Sequence, residues 1–197
     1  MASSTQRRLI LGSTSPYRRA LLERLRLAFD IVAPGLDETP FAGETPRQLA
    51  CRLAMAKARA VAALHPEAIV IGSDQVADLD GVAIGKPGNH DAATAQLQRM
   101  RGKSVVFQTA VAVVCKAQKF AQMDLAQVKV KFRDVTDAEI EAYLQAEQPY
   151  DCAGSAKSEG LGIALLDSIE NDDPTALVGL PLIRTCQMLR SAGLALL

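Results

Sequence analysis

Two long apolar runs near the middle of the chain constrain its fold more than any other feature. They extend from Val105 to Cys115 and from Phe120 to Phe132, and four residues separate them. Runs of this length that are rich in β-branched residues predict an antiparallel pair of strands. In the second run Val128, Val130 and Phe132 alternate along the sequence, which puts them on one face of the pair. We therefore predict a β-sheet that contains this pair.

The rest of the sequence alternates short apolar runs with capped helices. Short strands are predicted at Leu9 to Leu11, Phe29 to Ala33, Ala68 to Ile71 and Ile163 to Leu166. Capping residues or an initial proline predict helices that begin at Ser15-Pro16, Thr45-Pro46, Asn89, Thr136 and Pro181. The dipeptide Asp80-Gly81 indicates a hairpin. No repeat or linker divides the sequence, so we predict one α/β domain over residues 1–197, with a mixed sheet and flanking helices.

Charge limits the kind of partner that the chain can bind. The 22 basic and 22 acidic residues cancel, and no basic run is interleaved with aromatic residues. We therefore expect no polymeric nucleic acid as a partner. A few local cations would have to hold any anion, which suits a small phosphorylated ligand.

Apolar runs and cysteines indicate the compartment. No apolar run is long enough to cross a bilayer, and the segment Met1 to Arg8 lacks the apolar stretch of a secretory signal. The four cysteines are scattered, without the spacing of a zinc site. We expect a soluble, cytoplasmic protein with no membrane partner, whose cysteines stay reduced.

Charged and polar residues stand near the ends of predicted strands and the beginnings of predicted helices. Gly12 to Pro16 leads into a helix that carries Arg18, and a helix N-terminus favours anions. The same segment is also explained as a turn with a good cap. Asp74 follows an apolar run abruptly, but one aspartate at a strand end commonly caps a turn. Lys57 and Lys86 taken singly are explained as solvated side chains.

Taken together, these residues match the requirements of phosphoanhydride cleavage. Carboxylates such as Glu38 and Asp74 hold a hard divalent ion and orient water, while Lys and Arg side chains neutralise phosphate charge. We predict attack at the α-phosphorus by water that the metal or Asp74 activates. A P-loop is absent from the sequence, as are the G-x-S-x-G and H-E-x-x-H motifs, which disfavours P-loop, acyl-transfer and zinc-protease chemistry.

Several short motifs resemble those of a known family, the Maf nucleotide pyrophosphatases. The motifs are Leu9 to Pro16, Leu36-Asp37-Glu38, Ala56-Lys57-Ala58, Gly72 to Gln75, Gly85-Lys86-Pro87, Phe132-Arg133, Ala153-Gly154-Ser155, Ser158-Glu159-Gly160 and Leu177 to Pro181. The resemblance runs nearly from end to end. In detail the chain is most similar to the branch of the family that acts on 7-methyl-GTP.

The resemblance implies a fold, a reaction and a set of site residues. The implied fold is a mixed α/β fold of the Maf and inosine-triphosphatase type, with a central cleft between two lobes and often a homodimer. Asp74 is implied as the proton acceptor, and Glu38 with Asp74 as ligands of a divalent metal cation, Mg or Mn. The residues implied as phosphate contacts are Ser13, Arg18, Lys57 and Lys86. The residues implied in base preference are Tyr17, Gln75 and Glu159.

Three positions depart from the pattern of the broader family, and two of these changes, at Tyr17 and Val105, are compatible with that branch. Tyr17 replaces the arginine usual in a Ser-Pro-Arg-Arg signature, Val105 replaces a common histidine, and Ala110 replaces a common glycine. The implied reaction converts 7-methyl-GTP to 7-methyl-GMP and pyrophosphate. Two alternatives remain open: a pyrophosphatase of the same family that acts on dTTP or UTP, and a non-catalytic nucleotide-binding regulator of cell division.

Overall fold

A seven-stranded mixed sheet runs through the computed structural model, which describes residues 7–197. The strands are β1 (Leu9–Leu11), β2 (Asp30–Ile31), β3 (Ile69–Leu79), β4 (Val82–Ile84), β5 (Ser104–Cys115), β6 (Phe120–Phe132) and β7 (Leu166–Glu170). The helices are α1 (Pro16–Glu23), α2 (Pro46–Leu64), α3 (His90–Met100), α4 (Asp137–Glu147) and α5 (Leu182–Ser191). Our expectation that Met1 to Arg8 is not a secretory signal concerns residues of which 1–6 lie outside the described part of the chain.

The strand order is β2-β1-β3-β5-β6-β7, with β4 paired to the far end of β3. β1 is parallel to β2 and β3, whereas the other pairs are antiparallel, so the predicted mixed sheet is confirmed. The predicted pair of long strands is also confirmed, in a register from Ser104 opposite Lys131 to Cys115 opposite Phe120. Val128, Val130 and Phe132 are buried, as their alternation predicted.

The helix caps form as the sequence predicted. Ser15 accepts from the backbone N–H of Arg18, and Asn89 from that of Ala92. Thr45 and Thr136 each form a complete capping box. These caps satisfy backbone donors that the first turn of a helix leaves without partners.

The largest correction concerns β3, which we expected to end at Ile71. The strand continues through Gly72 and Asp74 to Leu79, because β5 supplies a pairing partner as far as Asp78 and β4 pairs with its last residues. Asp74 lies opposite Ala110, in the middle of the strand and not at its end. The polar residues in this part of the sequence therefore mark where β3 lines the cleft, and they do not mark the end of the strand.

Three boundaries were also wrong. The segment Leu161–Leu165 is a 3-10 turn, and β7 begins only at Leu166, where pairing with Phe132 starts. Only Asp30–Ile31 of the predicted second strand pairs with β1. Pro181 precedes α5 as its N-cap, because its backbone is extended.

Two lobes pack around the sheet. In the first lobe, α2 covers one face of β1 and β3, and α1 with α5 cover the other face. In the second lobe, α3 and α4 pack on the ends of β5 and β6 around Phe107, Val130 and Leu144. No helix within residues 7–197 is long and apolar enough to span a membrane. No disulfide joins the four cysteines, all of which lie in the described part of the chain, and only Cys115 is buried.

Candidate active site

A cleft of about 580 Å³ lies between the two lobes. It opens beside β3 where that strand pairs only with β5, between the end of its pairing with β1 at Ile71 and the beginning of its pairing with β4 at Ala77. The nine residues that the resemblance implies as site residues all line this cleft: Ser13, Tyr17, Arg18, Glu38, Lys57, Asp74, Gln75, Lys86 and Glu159. The individual roles of these nine residues stay predictions.

Lys57 lies at the centre of the cleft between two carboxylates. Its Nζ is 2.7 Å from Asp74 Oδ1 and 2.8 Å from Glu38 Oε1. The side chains of Lys57 and Asp74 are 6% and 9% exposed, whereas that of Glu38 is 54% exposed. Glu38 and Asp74 therefore meet at one cation, although one comes from a loop and the other from the sheet.

Gly72 explains how a helix can bring Lys57 so close to Asp74. A Cβ at Gly72 would lie 2.4 Å from the Ala54 carbonyl oxygen and 2.5 Å from the Ala58 nitrogen. Helix α2 therefore lies against the bare backbone of β3. Lys57 stands between Ala54 and Ala58 in α2, so this close approach carries its ammonium to the Asp74 carboxylate.

The surroundings of Asp74 change its acidity. Burial raises the pKa of Asp74 above that of an ordinary aspartate, against the opposing effects of Lys57 and Arg18. A carboxylate with a raised pKa binds a proton more readily and is a better general base. Its Oδ1 accepts from Lys57, and no hydrogen bond to Oδ2 is found within the described part of the chain. Asp74 Oδ2 can therefore accept a proton from a water molecule in the cleft.

Ser13 and Arg18 form a polar group at the beginning of α1. Ser13 Oγ accepts from Arg18 Nη1 at 3.3 Å and from the Ser15 backbone N–H at 3.2 Å. Because Ser13 Oγ accepts in both contacts, its own O–H remains able to donate to an anion. Arg18 Nε donates to the Gly179 carbonyl at 2.9 Å, which fixes the guanidinium against the cleft wall. Burial lowers the pKa of Arg18 and Asp74 opposes this effect, yet arginine stays protonated in proteins.

Lys86 lies on the opposite rim, in the loop after β4. Its side chain is exposed, and no ion pair to it is found among residues 7–197. The preceding Gly85 carbonyl accepts from the Gly154 backbone N–H and from Gln96 Nε2. This rim of the cleft is therefore tied to the second lobe.

Tyr17 contacts two residues that the sequence analysis did not select. Its O–H donates to Asp151 Oδ1 at 3.3 Å, and the Cys152 thiol donates to its oxygen at 3.6 Å. Burial raises the pKa of Tyr17 and also raises that of the Cys152 thiol, to about 11, so both groups stay neutral at pH 7. Asp151 and Cys152 directly precede Ala153-Gly154-Ser155, so their position beside this motif was the signal that could have identified them.

Glu159 and Gln75 differ in how free their polar atoms are. Glu159 is exposed, and its one hydrogen-bond partner within the described chain is the Ser158 hydroxyl, at 3.5 Å. The Gln75 amide nitrogen instead lies within 3.0 Å of Thr109 Oγ1 and of the carbonyl oxygens of Ala176 and Leu177. Gln75 therefore supports the cleft wall with its nitrogen, which leaves its amide oxygen for a ligand.

The donor set at the centre fits a divalent cation. Carboxylate oxygens, which Glu38 and Asp74 provide, are the ligands that Mg²⁺ and Mn²⁺ prefer. Within residues 7–197, no three His, Cys, Asp or Glu side chains are grouped so that they could hold a metal. Magnesium is usually held by one or two carboxylates together with waters and substrate phosphates. The cleft provides two carboxylates together with the cationic side chains of Arg18, Lys57 and Lys86, which matches that arrangement.

Comparison with known proteins gives relatives along the full length of the chain. The family model described as Maf-like protein matches residues 8–192. A 7-methyl-GTP pyrophosphatase of Albidiferax ferrireducens is 74% identical over 100% of this chain and 99% of its own. Proteins of the same name from a Polaromonas species and Burkholderia mallei are 70% and 61% identical, covering 98% and 94% of this chain and 88% of their own.

Two solved structures are also similar. A HAM1 protein from Coxiella burnetii has a TM-score of 0.45 and 11% identity, with 66% of this chain and 74% of that chain covered. A nucleoside-triphosphatase, described as a dITP/XTP pyrophosphatase, from Mycobacterium abscessus has a TM-score of 0.45 and 16% identity, with 94% of this chain and 97% of that chain covered.

The family model and the close relatives together decide the assignment: this chain belongs to the Maf family.

Proposed function

We propose that this chain is a nucleoside triphosphate pyrophosphatase that converts 7-methyl-GTP to 7-methyl-GMP and pyrophosphate. The observation that carries the reaction is the buried Asp74, which lies in a polar cleft and is held at one oxygen by Lys57. The substrate is supported by relatives of up to 74% identity that bear the name 7-methyl-GTP pyrophosphatase. The family and the geometry therefore favour the same chemistry.

Asp74 acts as the general base in this proposal. A water molecule gives its proton to Asp74 Oδ2 as its oxygen bonds to the α-phosphorus. The bond between the α-phosphorus and the oxygen that bridges it to the β-phosphorus then breaks, and pyrophosphate leaves with that oxygen and the electron pair. Burial of Asp74 favours proton uptake, while the ammonium of Lys57 fixes the carboxylate at Oδ1.

The cations of the cleft neutralise the triphosphate. Ser13 and Arg18 donate from the beginning of α1, and Lys86 approaches from the opposite rim, so the phosphate chain lies between the two lobes. Lys57 has three donors; one hydrogen bonds to Asp74, and the ion pair with Glu38 occupies at most one more, so at least one is left for a phosphate oxygen. Negative charge that develops on the leaving pyrophosphate is stabilised in this way.

Glu38 and Asp74 would hold the divalent cation, Mg or Mn. When bound, it would supply Lewis-acid stabilisation of charge on the phosphate oxygens. Lys57 neutralises the same two carboxylates in the ligand-free protein, so the pair stays close together despite its like charges.

Tyr17 and Glu159 read the base in this proposal. Methylation at N7 gives guanine a delocalised positive charge, which a carboxylate such as Glu159 favours over neutral guanine. Glu159 also accepts from the donors on the N1 and exocyclic amine edge. The Tyr17 ring offers its face to the cationic base, an interaction of about 0.5–2 kcal/mol.

A substrate screen tests reaction and substrate together. The purified protein is supplied with Mg²⁺ or Mn²⁺ and each of 7-methyl-GTP, GTP, dTTP and UTP, and the products are identified. Pyrophosphate and 7-methyl-GMP are the expected products, with the highest kcat/KM for 7-methyl-GTP. Orthophosphate as the product would exclude the proposed reaction. Faster turnover of dTTP or UTP would favour the other pyrophosphatase, and binding without turnover would favour a non-catalytic regulator.

A further inference from the structure

Glu38 stands on a long segment that lacks secondary structure. The segment, residues 32–45, joins β2 to α2 and supplies Pro34, Glu38 and Pro40 to the cleft. We name its part from 37 to 45 the Glu38 loop. Within the described residues, the one ion pair of Glu38 is that with Lys57, and Phe41 in the same loop is 65% exposed. A half-exposed glutamate on such a loop stays in place only if something else fixes the loop.

Arg52 of α2 contacts three residues of the Glu38 loop. Its Nε and Nη2 donate to the two oxygens of the Glu44 carboxylate, at 2.6 and 2.7 Å. Nη2 also donates to the Thr39 carbonyl at 3.1 Å. The centre of the guanidinium lies 3.9 Å from the centroid of the Phe41 ring. One side chain therefore uses a two-pronged ion pair, a backbone hydrogen bond and a cation–π contact on a single loop.

Further polar contacts surround the interactions of Arg52 with this loop, which we call the Arg52 clamp. The Glu44 side chain is 8% exposed, and its hydrogen bond with Arg52 lowers its pKa below that of an ordinary glutamate. Asp37 accepts from both the backbone N–H and the hydroxyl of Thr39, at 2.9 and 2.7 Å. Asp37 is therefore engaged within the loop, and the adjacent Glu38 is the carboxylate that reaches Lys57.

We propose that Arg52 is a positioning residue that holds Glu38 beside Asp74 and thereby sets the affinity of the site for its divalent cation. The inference rests on the proposed function, in which Glu38 and Asp74 hold that cation. The planar fork of arginine matters because a lysine ammonium cannot bind a carboxylate at two points and also reach a second acceptor in the same plane. Residues that orient metal ligands typically affect metal affinity by about 10- to 100-fold.

Binding of Mn²⁺ to the nucleotide-free full chain, followed by the electron paramagnetic resonance of free Mn²⁺, tests the proposal. We expect Arg52→Met to raise the Kd for Mn²⁺ by about 10-fold or more, and Arg52→Lys to restore it only in part. Glu44→Gln weakens the same clamp from the loop side and should shift the Kd in the same direction. Adding Glu44→Gln to Arg52→Met should have little further effect, because both changes remove one interaction.

Turnover provides a second readout that general damage to the fold would not reproduce. In Arg52→Met, the Mn²⁺ concentration needed for half-maximal turnover should rise, while kcat at saturating Mn²⁺ returns towards that of the parent protein. A partly unfolded protein would lose kcat at every Mn²⁺ concentration. Arg19→Met is the matched control, since it removes an exposed ion pair with Glu23 and should leave the Kd unchanged.

Glu38→Gln separates failure of this inference from failure of the proposed function. If Glu38→Gln weakens Mn²⁺ binding but the folded variants Arg52→Met, Arg52→Lys and Glu44→Gln bind Mn²⁺ like the parent protein, the role of Arg52 is overturned and the proposed function stands. If Glu38→Gln itself binds Mn²⁺ and turns over normally, Glu38 is not a metal ligand. That second result overturns the metal assignment in the proposed function and the inference together.

Discussion

The Asp74 carboxylate combines two properties that a general base needs. It is buried enough for its pKa to rise, and it is fixed by the Lys57 ammonium at 2.7 Å. Burial alone would favour the neutral acid, whereas Lys57 and Arg18 keep the ionised form accessible. The sequence alone indicated Asp74 as a candidate, but its mid-strand position and its partner required the tertiary structure.

Replacing Asp74 by asparagine tests its chemical role. The amide keeps the shape of the side chain but cannot take up the proton of the attacking water. We expect turnover of 7-methyl-GTP in Asp74→Asn to fall by at least about 100-fold, the range of positioned acid–base catalysis, while nucleotide binding is largely kept. Single-turnover kinetics and a binding titration measure the two effects separately. Near-normal turnover would contradict the assignment.

Changes at Tyr17 and Glu159 test how the base is read. In the proposed function, Glu159→Gln removes the charge that favours a methylated base, and a hydrogen bond to a charged group contributes about 1.5–3 kcal/mol. We expect the ratio of kcat/KM for 7-methyl-GTP to that for GTP to fall by roughly 10-fold or more. UTP should enter more easily, because the amide both donates and accepts. Tyr17→Ala should lower the same ratio and spare the phosphate contacts, and unchanged ratios would remove both residues as base readers.

At the level of elements, the four side-chain caps and the limits of β1, β5 and β6 were predictable, whereas the limits of β2, β3 and β7 were not. Ser15, Thr45, Asn89 and Thr136 cap helices because capping depends on side chains only three residues away, which a sequence displays directly. The length of β3 depends on the distant β5, which supplies hydrogen bonds beyond the apolar run. The contact of Tyr17 with Asp151 likewise joins residues that are far apart in the sequence, so local sequence patterns could not predict it.

The contact between α2 and β3 gives a prediction for Gly72. A methyl group there would meet the backbone of α2 at 2.4 Å, so the helix must move away. We expect Gly72→Ala to destabilise the fold by about 1–3 kcal/mol, which lowers Tm by about 2–4 °C per kcal/mol for a chain of this size. Turnover should also fall, because Lys57 moves with α2. Gly85→Ala is the control for stability, since a methyl group at Gly85 would have open space for 4 Å around it within the described part of the chain, and equal Tm values for both variants would contradict the prediction.

At the level of the whole molecule, the ionisation of one residue of the cleft affects folding stability. A carboxylate whose pKa is higher in the folded state favours folding at low pH, and this contribution is lost as pH rises through the folded-state value. Asp74 is such a group, because burial raises its pKa. At neutral pH the ionised Asp74 therefore destabilises the protein relative to a neutral side chain in its place.

Thermal unfolding across pH measures this effect. We expect Asp74→Asn to have a higher Tm than the parent protein at pH 7, with a difference that shrinks as pH falls towards 4. Asp80→Asn is the control, because Asp80 is exposed in the hairpin turn and its left-handed backbone, at a φ of 54°, accepts asparagine. A Tm difference for Asp74→Asn that grows towards acid pH would have the wrong sign and would exclude this account.

The two carboxylates of the site lie in parts of the fold that open in different ways. Asp74 belongs to a strand paired along nine residues with β5, whereas Glu38 belongs to a loop held mainly by one arginine. In amide hydrogen exchange followed by mass spectrometry, the peptide with Asp74 should therefore stay protected until the protein unfolds globally. The peptide with Glu38 should exchange by local opening. Mn²⁺ with nucleotide should slow exchange in the second peptide only, and equal rates in both free peptides would refute this. One half of the site is therefore held until the whole fold opens, whereas the other half opens locally and is held more firmly once substrate is bound.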